Sequence, residues 1–256
     1  MNRHGILLVQ YGTLNETART SSLDQLYLEL KARRPRTPVA QAYINEDMLS
    51  RIPQEERYTP VGTISEAMAQ LKAEGVNDLL VLNSFVSPGV SFMEMSDALQ
   101  KNAHGFIHIR VLPAMIADSS SRQYGGLIRI LKAFEAEYAD AEILLVGHGF
   151  DEQAALFYRM FEYQMAHKHI THTHVVLMHG PDSLETVIPE LQKNSAGRPV
   201  LLVPFMMTAG MHAVHELNEI DGKMTLKLRA AGFEVHTIMH GLGEDPAYRK
   251  LLLSMI

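Results

Sequence analysis

Short runs of Val, Leu and Ile, each followed by a longer amphipathic stretch, constrain the fold of this chain more than any other feature. A parallel strand is covered on both faces by the helices that link it to its neighbours, so it reads as an almost unbroken apolar run. Such runs predict strands over 5–10 (GILLVQ), 38–44, 78–83 (DLLVLN), 107–112, 142–147 (EILLVG), 173–178 (THVVLM), 199–203 (PVLLV) and 234–238. The intervening stretches predict helices over 20–34, 61–74, 92–103, 121–137, 151–167, 183–193, 211–231 and 246–255. Gly and Pro mark turns at 55–60 and 194–199.

The second half of the chain echoes the first. ILLVQYGT at 6–13 matches ILLVGHGF at 143–150, and DLLVLNSFVSPGVSF at 78–92 matches PVLLVPFMMTAGMHA at 199–213 with one residue gapped. A duplication of this kind predicts an α/β protein of two similar lobes, 1–125 and 126–256, each a four-stranded parallel sheet flanked by helices. One continuous eight-stranded barrel has the same strand and helix count. It would not require the single break in the repeat.

Charge and composition exclude several function classes. A formal charge of -6, from 29 acidic and 23 basic residues, lacks the basic excess of a protein that tracks nucleic-acid phosphates. There is no cysteine, so disulfides, thiolate metal sites and cysteine nucleophiles are excluded. The N-terminal MNRHGILLVQYGT does not read as a signal peptide, and no run reaches the roughly 18 to 20 apolar residues of a membrane span. The expectation is a cytoplasmic protein without nucleic-acid or membrane partners, and a homo-oligomer is compatible with it. GxxxxGK[ST], GxGxxG after a strand and GxSxG are all absent, which argues against a nucleotide cofactor and a serine nucleophile.

In open parallel sheets ligands bind at the carboxyl ends of the strands. The segments there are YGT (11–13), SFVSPG (84–89), GHGF (147–150), MHGPD (178–182) and FMMTAGMH (205–212), and the three that contain histidine all lie in the second half. His148 stands between two glycines, in the slot that Tyr11 fills in the first half. His179 follows the next strand. His212 opens a helix after a Gly turn, and His215 lies one helical turn on, as a further ligand, a partner or a solvated residue. Three imidazoles with open positions suit divalent Co, Ni, Fe or Zn. Glu185, Asp182 and Glu216 could join them, although such residues more often face solvent.

Other groups carry less weight. His167, His169, His172 and His174 end a helix and lead into a strand, where a solvated face complementing the helix dipole competes with a metal reservoir. Met206, Met207 and Met211, with Phe85, Phe92 and Phe205, read as core or as an apolar wall for a flat ligand.

Taken together, ILLVQYGT at the start, VGHG at 146–149, PFMMTAGMHA at 204–213 and HGLGEDPAYR at 240–249 make the chain resemble the anaerobic, class II cobalt chelatases of the CbiK-like type, which act on sirohydrochlorin in cobalamin biosynthesis. It is more distantly similar to the class II ferrochelatases. The resemblance implies a two-lobed enzyme that inserts a divalent metal, cobalt first and Fe2+ or Ni2+ next, into a tetrapyrrole without ATP. It places the catalytic, metal-binding histidines on His148 and His212. It also implies a third ligand at His179, where the family carries glutamate, so the site loses one negative charge. Tyr11, Gly12, Thr13, Ser84, Ser87, Ser91 and Met207 are the candidate macrocycle contacts. The rival readings are a non-catalytic carrier of metal or tetrapyrrole, and a zinc-water hydrolase, for which the chain offers no HExxH.

Overall fold

The computed structural model describes residues 3–149, 151–180, 183–194 and 197–256. It contains two four-stranded, all-parallel sheets. The first is ordered β2(Val39–Tyr43), β1(His4–Gln10), β3(Asp78–Asn83), β4(His108–Val111). The second repeats that order as β6(Thr173–Leu177), β5(Glu142–Gly147), β7(Val200–Pro204), β8(Val235–Thr237). Two open sheets replace the barrel alternative, and the equivalence of β1 with β5 and of β3 with β7 matches the sequence echo.

Strand alternation explains the layering. Ile6 and Leu8 face one way, while Leu7 and Val9 face the other, because successive side chains point to opposite faces. Ile6 and Leu8 join Ile143, Leu145, Leu201 and Val203 in a single central core between the sheets. Leu7 and Val9 meet Met68 and Leu71 of α4(Ile64–Ala73) and Met95 and Leu99 of α5(Val90–Lys101) on the outer face. In the second sheet Leu144 and Val146 pack outward on Leu184 of α8(Leu184–Asn194), Leu217 of α9(Met211–Leu217) and Leu228 of α10(Lys223–Ala230). The central layer receives α2(Gln25–Arg33), α6(Arg122–Glu137), α7(Glu152–His167) and the C-terminal α11(Pro246–Leu253). That last helix reaches back to the first sheet's partners: Arg249 Nε donates to Glu29 Oε1 at 2.7 Å.

Three local features differ from the sequence reading. The helix expected over 20–34 starts earlier, as α1(Glu16–Ala18), and passes through a π turn, Arg19–Asp24, into α2. A short α3(Glu46–Ser50), capped by the Asn45 side chain, was not expected. The single helix expected over 211–231 is two, α9 and α10. The Asn218 side chain accepts the amides of Ile220 and Asp221 at 3.1 and 3.0 Å, a local turn that competes with helical bonding. Among the described residues no helix is long and apolar enough to cross a membrane.

Candidate metal-binding site

The loops at the carboxyl end of the second sheet converge on His148. β5 ends at Gly147, and Gly149 adopts φ +70°, a left-handed conformation that L side chains rarely take. A Cβ at Gly149 would lie 2.4 Å from the His179 carbonyl oxygen and 2.6 Å from Leu177 Cβ. The loop after β5 therefore lies directly on the loop after β6, and the His148 and His179 rings stand with centroids 5.8 Å apart. His212 is the second residue of α9, which follows β7, the other neighbour of β5. His148 Nε2 and His212 Nδ1 are 3.1 Å apart, with the rings stacked at 5.3 Å and 29°.

Two nitrogens bound to one ion at about 2.0–2.1 Å each lie roughly 2.8–3.4 Å apart, from cis-octahedral to tetrahedral geometry. The observed 3.1 Å falls within that span. In the pair itself one ring donates its proton to the other, and a cation bound by both lone pairs would take that proton's place. Burial first, and then the neighbouring His212 and His179, push the His148 pKa down to about 4. Near neutrality His148 therefore keeps a lone pair for a metal.

The third ligand is less closely drawn in. Among the described residues no three His, Asp or Glu side chains already surround a single point as a metal site. The three-imidazole set expected from the sequence is thus a close pair with an exposed His179 beside it. His215 is exposed on α9. The carboxylates Glu216 and Glu185 are engaged elsewhere, by Lys223 at 3.0 Å and Lys227 at 2.6 Å. Phe150, Pro181 and Asp182 lie outside the described residues. Recesses between α6 and α11 and at the amino ends of β5 and β7 lie away from the histidine pair, which stands at an open rim.

The first-lobe candidates divide by exposure. Tyr11, 44% exposed at the end of β1, accepts a hydrogen bond from Asn45 Nδ2 at 3.2 Å. Gly12 is buried, with φ +98°. Thr13 and Ser84 are buried, and the Thr13 hydroxyl accepts the Asn15 amide at 3.2 Å. Half-buried Ser87 is hydrogen-bonded to Tyr158, and half-buried Ser91 occupies the first turn of α5. Met207 is buried and packs on Gly243. Phe205 takes the core alternative and not the wall: it stacks on Phe161 at 5.4 Å and is fully buried.

His240 entered the sequence reading only within the motif HGLGEDPAYR and not as a candidate ligand. It lies three residues beyond β8, so each of the four strands in this sheet is followed by a histidine near its carboxyl end. The strand-end rule that selected His148 would also have selected it.

The histidines at 167–174 lie at the opposite, amino edge of the sheet. His172 Nδ1 and His174 Nε2 each sit 3.2 Å from a different oxygen of buried Glu142, and His174 Nδ1 is 3.7 Å from Glu162. His167 Nδ1 bonds the Tyr163 carbonyl. This is a correction to the solvated-face expectation: two of the four form a partly buried ion-pair network. Burial alone would lower the His174 pKa, but Glu162 and Glu142 together outweigh it and leave it raised. A raised folded pKa contributes stability that is complete below the unfolded value and lost as pH rises through the folded one. Melting temperature should therefore decline above about pH 6.5. His174→Gln should flatten that decline, and an unchanged slope in thermal melts would refute the assignment.

Two parallel sheets in duplicate, with an imidazole pair at the carboxyl rim of one, define a two-lobed α/β protein. The family model for cobalt chelatase (CbiK) matches residues 4–256, and the chain belongs to that family. It is 22% identical over 248 residues to the sirohydrochlorin cobaltochelatase CbiKC of Nitratidesulfovibrio vulgaris, covering 95% of this chain and 86% of that one. It is 21% identical over 254 residues to the sirohydrochlorin cobaltochelatase of Salmonella typhimurium, covering 98% and 94%. Among solved structures, SirB from Bacillus subtilis with Fe3+ superposes with a TM-score of 0.71 at 14% identity, over 98% of this chain and 93% of that one. At that identity the likeness concerns the fold.

Proposed function

We propose that this protein inserts a divalent metal, cobalt in the first instance and Fe2+ or Ni2+ as alternatives, into sirohydrochlorin without ATP. The observation that carries the reading is the 3.1 Å approach of His148 Nε2 to His212 Nδ1 at the rim of the second sheet. The division of labour follows the lobes, with 126–256 holding the metal and 1–125 contributing most of the contacts to a macrocycle that lies between the two. His148 and His212 present the metal to one face of the ring, with His179 as a third donor once its side chain turns inward. Insertion breaks two pyrrole N–H bonds and forms metal–nitrogen bonds. The two protons leave to neutral bases, and a neutral imidazole at the rim can accept one of them. An imidazole at position 179 makes the site one charge less negative than a carboxylate would, so the cation is held less tightly before transfer.

The test is visible absorption of sirohydrochlorin with cobalt and purified protein, with no nucleotide added. Multiple turnovers above the spontaneous rate are expected. Stoichiometric binding without turnover would favour the carrier reading instead.

A further inference from the structure

We infer that Asp151 is a positioning residue that clamps the two lobes together beside the metal pair and so sets the width of the cleft for the macrocycle. Its carboxylate serves two helices at once. Oδ1 accepts the Ala154 amide at 2.7 Å, capping its own helix α7. Oδ2 accepts the Val90 amide at 3.0 Å, from the first turn of α5 in the other lobe. The N-cap of α5 is Gly89, which supplies no side-chain cap, so the orphan donor at that helix start is satisfied by a side chain of the other lobe. Gly89 has φ -101°, which any residue can adopt. What requires glycine there is proximity: a Cβ would lie 2.7 Å from Asp151 Oδ2 and 3.0 Å from Ala154 Cβ. One turn further along α7, Tyr158 meets Ser87 of the same first-lobe loop.

The duplication makes the contact more telling. Gly89 and Gly210 are equivalent in the sequence echo, and each is the N-cap of the helix that follows the third strand of its lobe. At the second seam a Cβ on Gly210 would lie 3.1 Å from Thr13 Oγ1 of the first lobe. Beyond their shared core, the lobes therefore also meet at two quasi-equivalent helix starts, one leading to His212 and the other held by Asp151, three residues after His148. Only the Asp151 seam places a carboxylate between two positive helix ends, where it opposes their separation. His148 and His212 both belong to the second lobe. The clamp therefore acts on the macrocycle, which spans the lobes, and not on the metal pair.

The inference rests on the chelatase reading, and Asp151→Asn isolates it. Asn caps a helix about as well as Asp, so α7 keeps its cap. An amide has a single acceptor oxygen, so Val90 loses its partner. Loss of this charge-assisted bond should weaken metal-free sirohydrochlorin binding, followed by absorbance titration, by about tenfold. Cobalt affinity, read from the cobalt–imidazole absorption, should change by less than about twofold. Gly89→Ala, which wedges the same contact open, should reproduce the pattern, and the double variant should be little worse than either single one. Unchanged macrocycle affinity in both variants would overturn the inference, as would a parallel loss of cobalt binding. Should the wild-type protein fail to bind sirohydrochlorin, the functional reading fails. The clamp is then judged by hydrogen exchange at the Val90 amide, which must speed up in Asp151→Asn if the clamp exists.

Discussion

His148→Ala should lower the rate of cobalt insertion by about a hundredfold or more while leaving the fold intact. The argument is geometric. Removing His148 takes away one of the two nitrogens, 3.1 Å apart, that this reading assigns to the ion. The removed ring is also the one whose neutral form is enforced, its pKa being pushed down to about 4 by burial and by its two imidazole neighbours. His148 is only half-buried, so its loss should cost about 1 kcal/mol of stability or less. Insertion rate and thermal melt are measured on the same preparation. An unaltered rate would end the reading of this pair as the metal holder.

Gly149→Ala should be strongly destabilising, costing about 3 kcal/mol of stability and most of the metal affinity. Two penalties coincide there. The backbone sits at φ +70°, and the added carbon would meet the His179 carbonyl oxygen at 2.4 Å, a main-chain atom that cannot swing aside. Relief requires the loop after β5 to separate from the loop after β6, which would draw His148 and His179 apart. Gly232→Ala provides the comparison. It has φ +95° with nothing within 4 Å of a new Cβ, so it carries only the left-handed strain of about 1–2 kcal/mol. Urea denaturation and cobalt titration of the two variants separate clash from strain. Equal destabilisation would show that the contact with His179 does not constrain the loop.

Much of the architecture is legible along the chain because a parallel strand buried on both faces leaves a local signature. Runs such as ILLVQ and EILLVG locate β1 and β5, and the repeated YGT and HGF that follow them disclose the duplication. The histidines at 148 and 212 were legible for a related reason, since a strand end in this topology is also a rim. The helix break at Asn218 was missed although its residues are local. The apolar periodicity continues through 224 and 228, and the side-chain turn that interrupts it competes with helix by a small margin. The role of Glu142 could not be read in the same way. A lone Glu at a strand start gives no hint that His172 and His174 will approach it from the neighbouring strand.

The positions of the strands along the chain, the two-fold repetition and, His240 apart, the set of histidines at strand ends were legible in the sequence, because each depends on local periodicity. Tertiary structure alone decided which of those histidines meet, that α11 returns to the first sheet's helices, and that one aspartate serves helix starts in both lobes. These depend on distances between segments tens to hundreds of residues apart, such as the 220 positions between Glu29 and Arg249, and no local pattern encodes them.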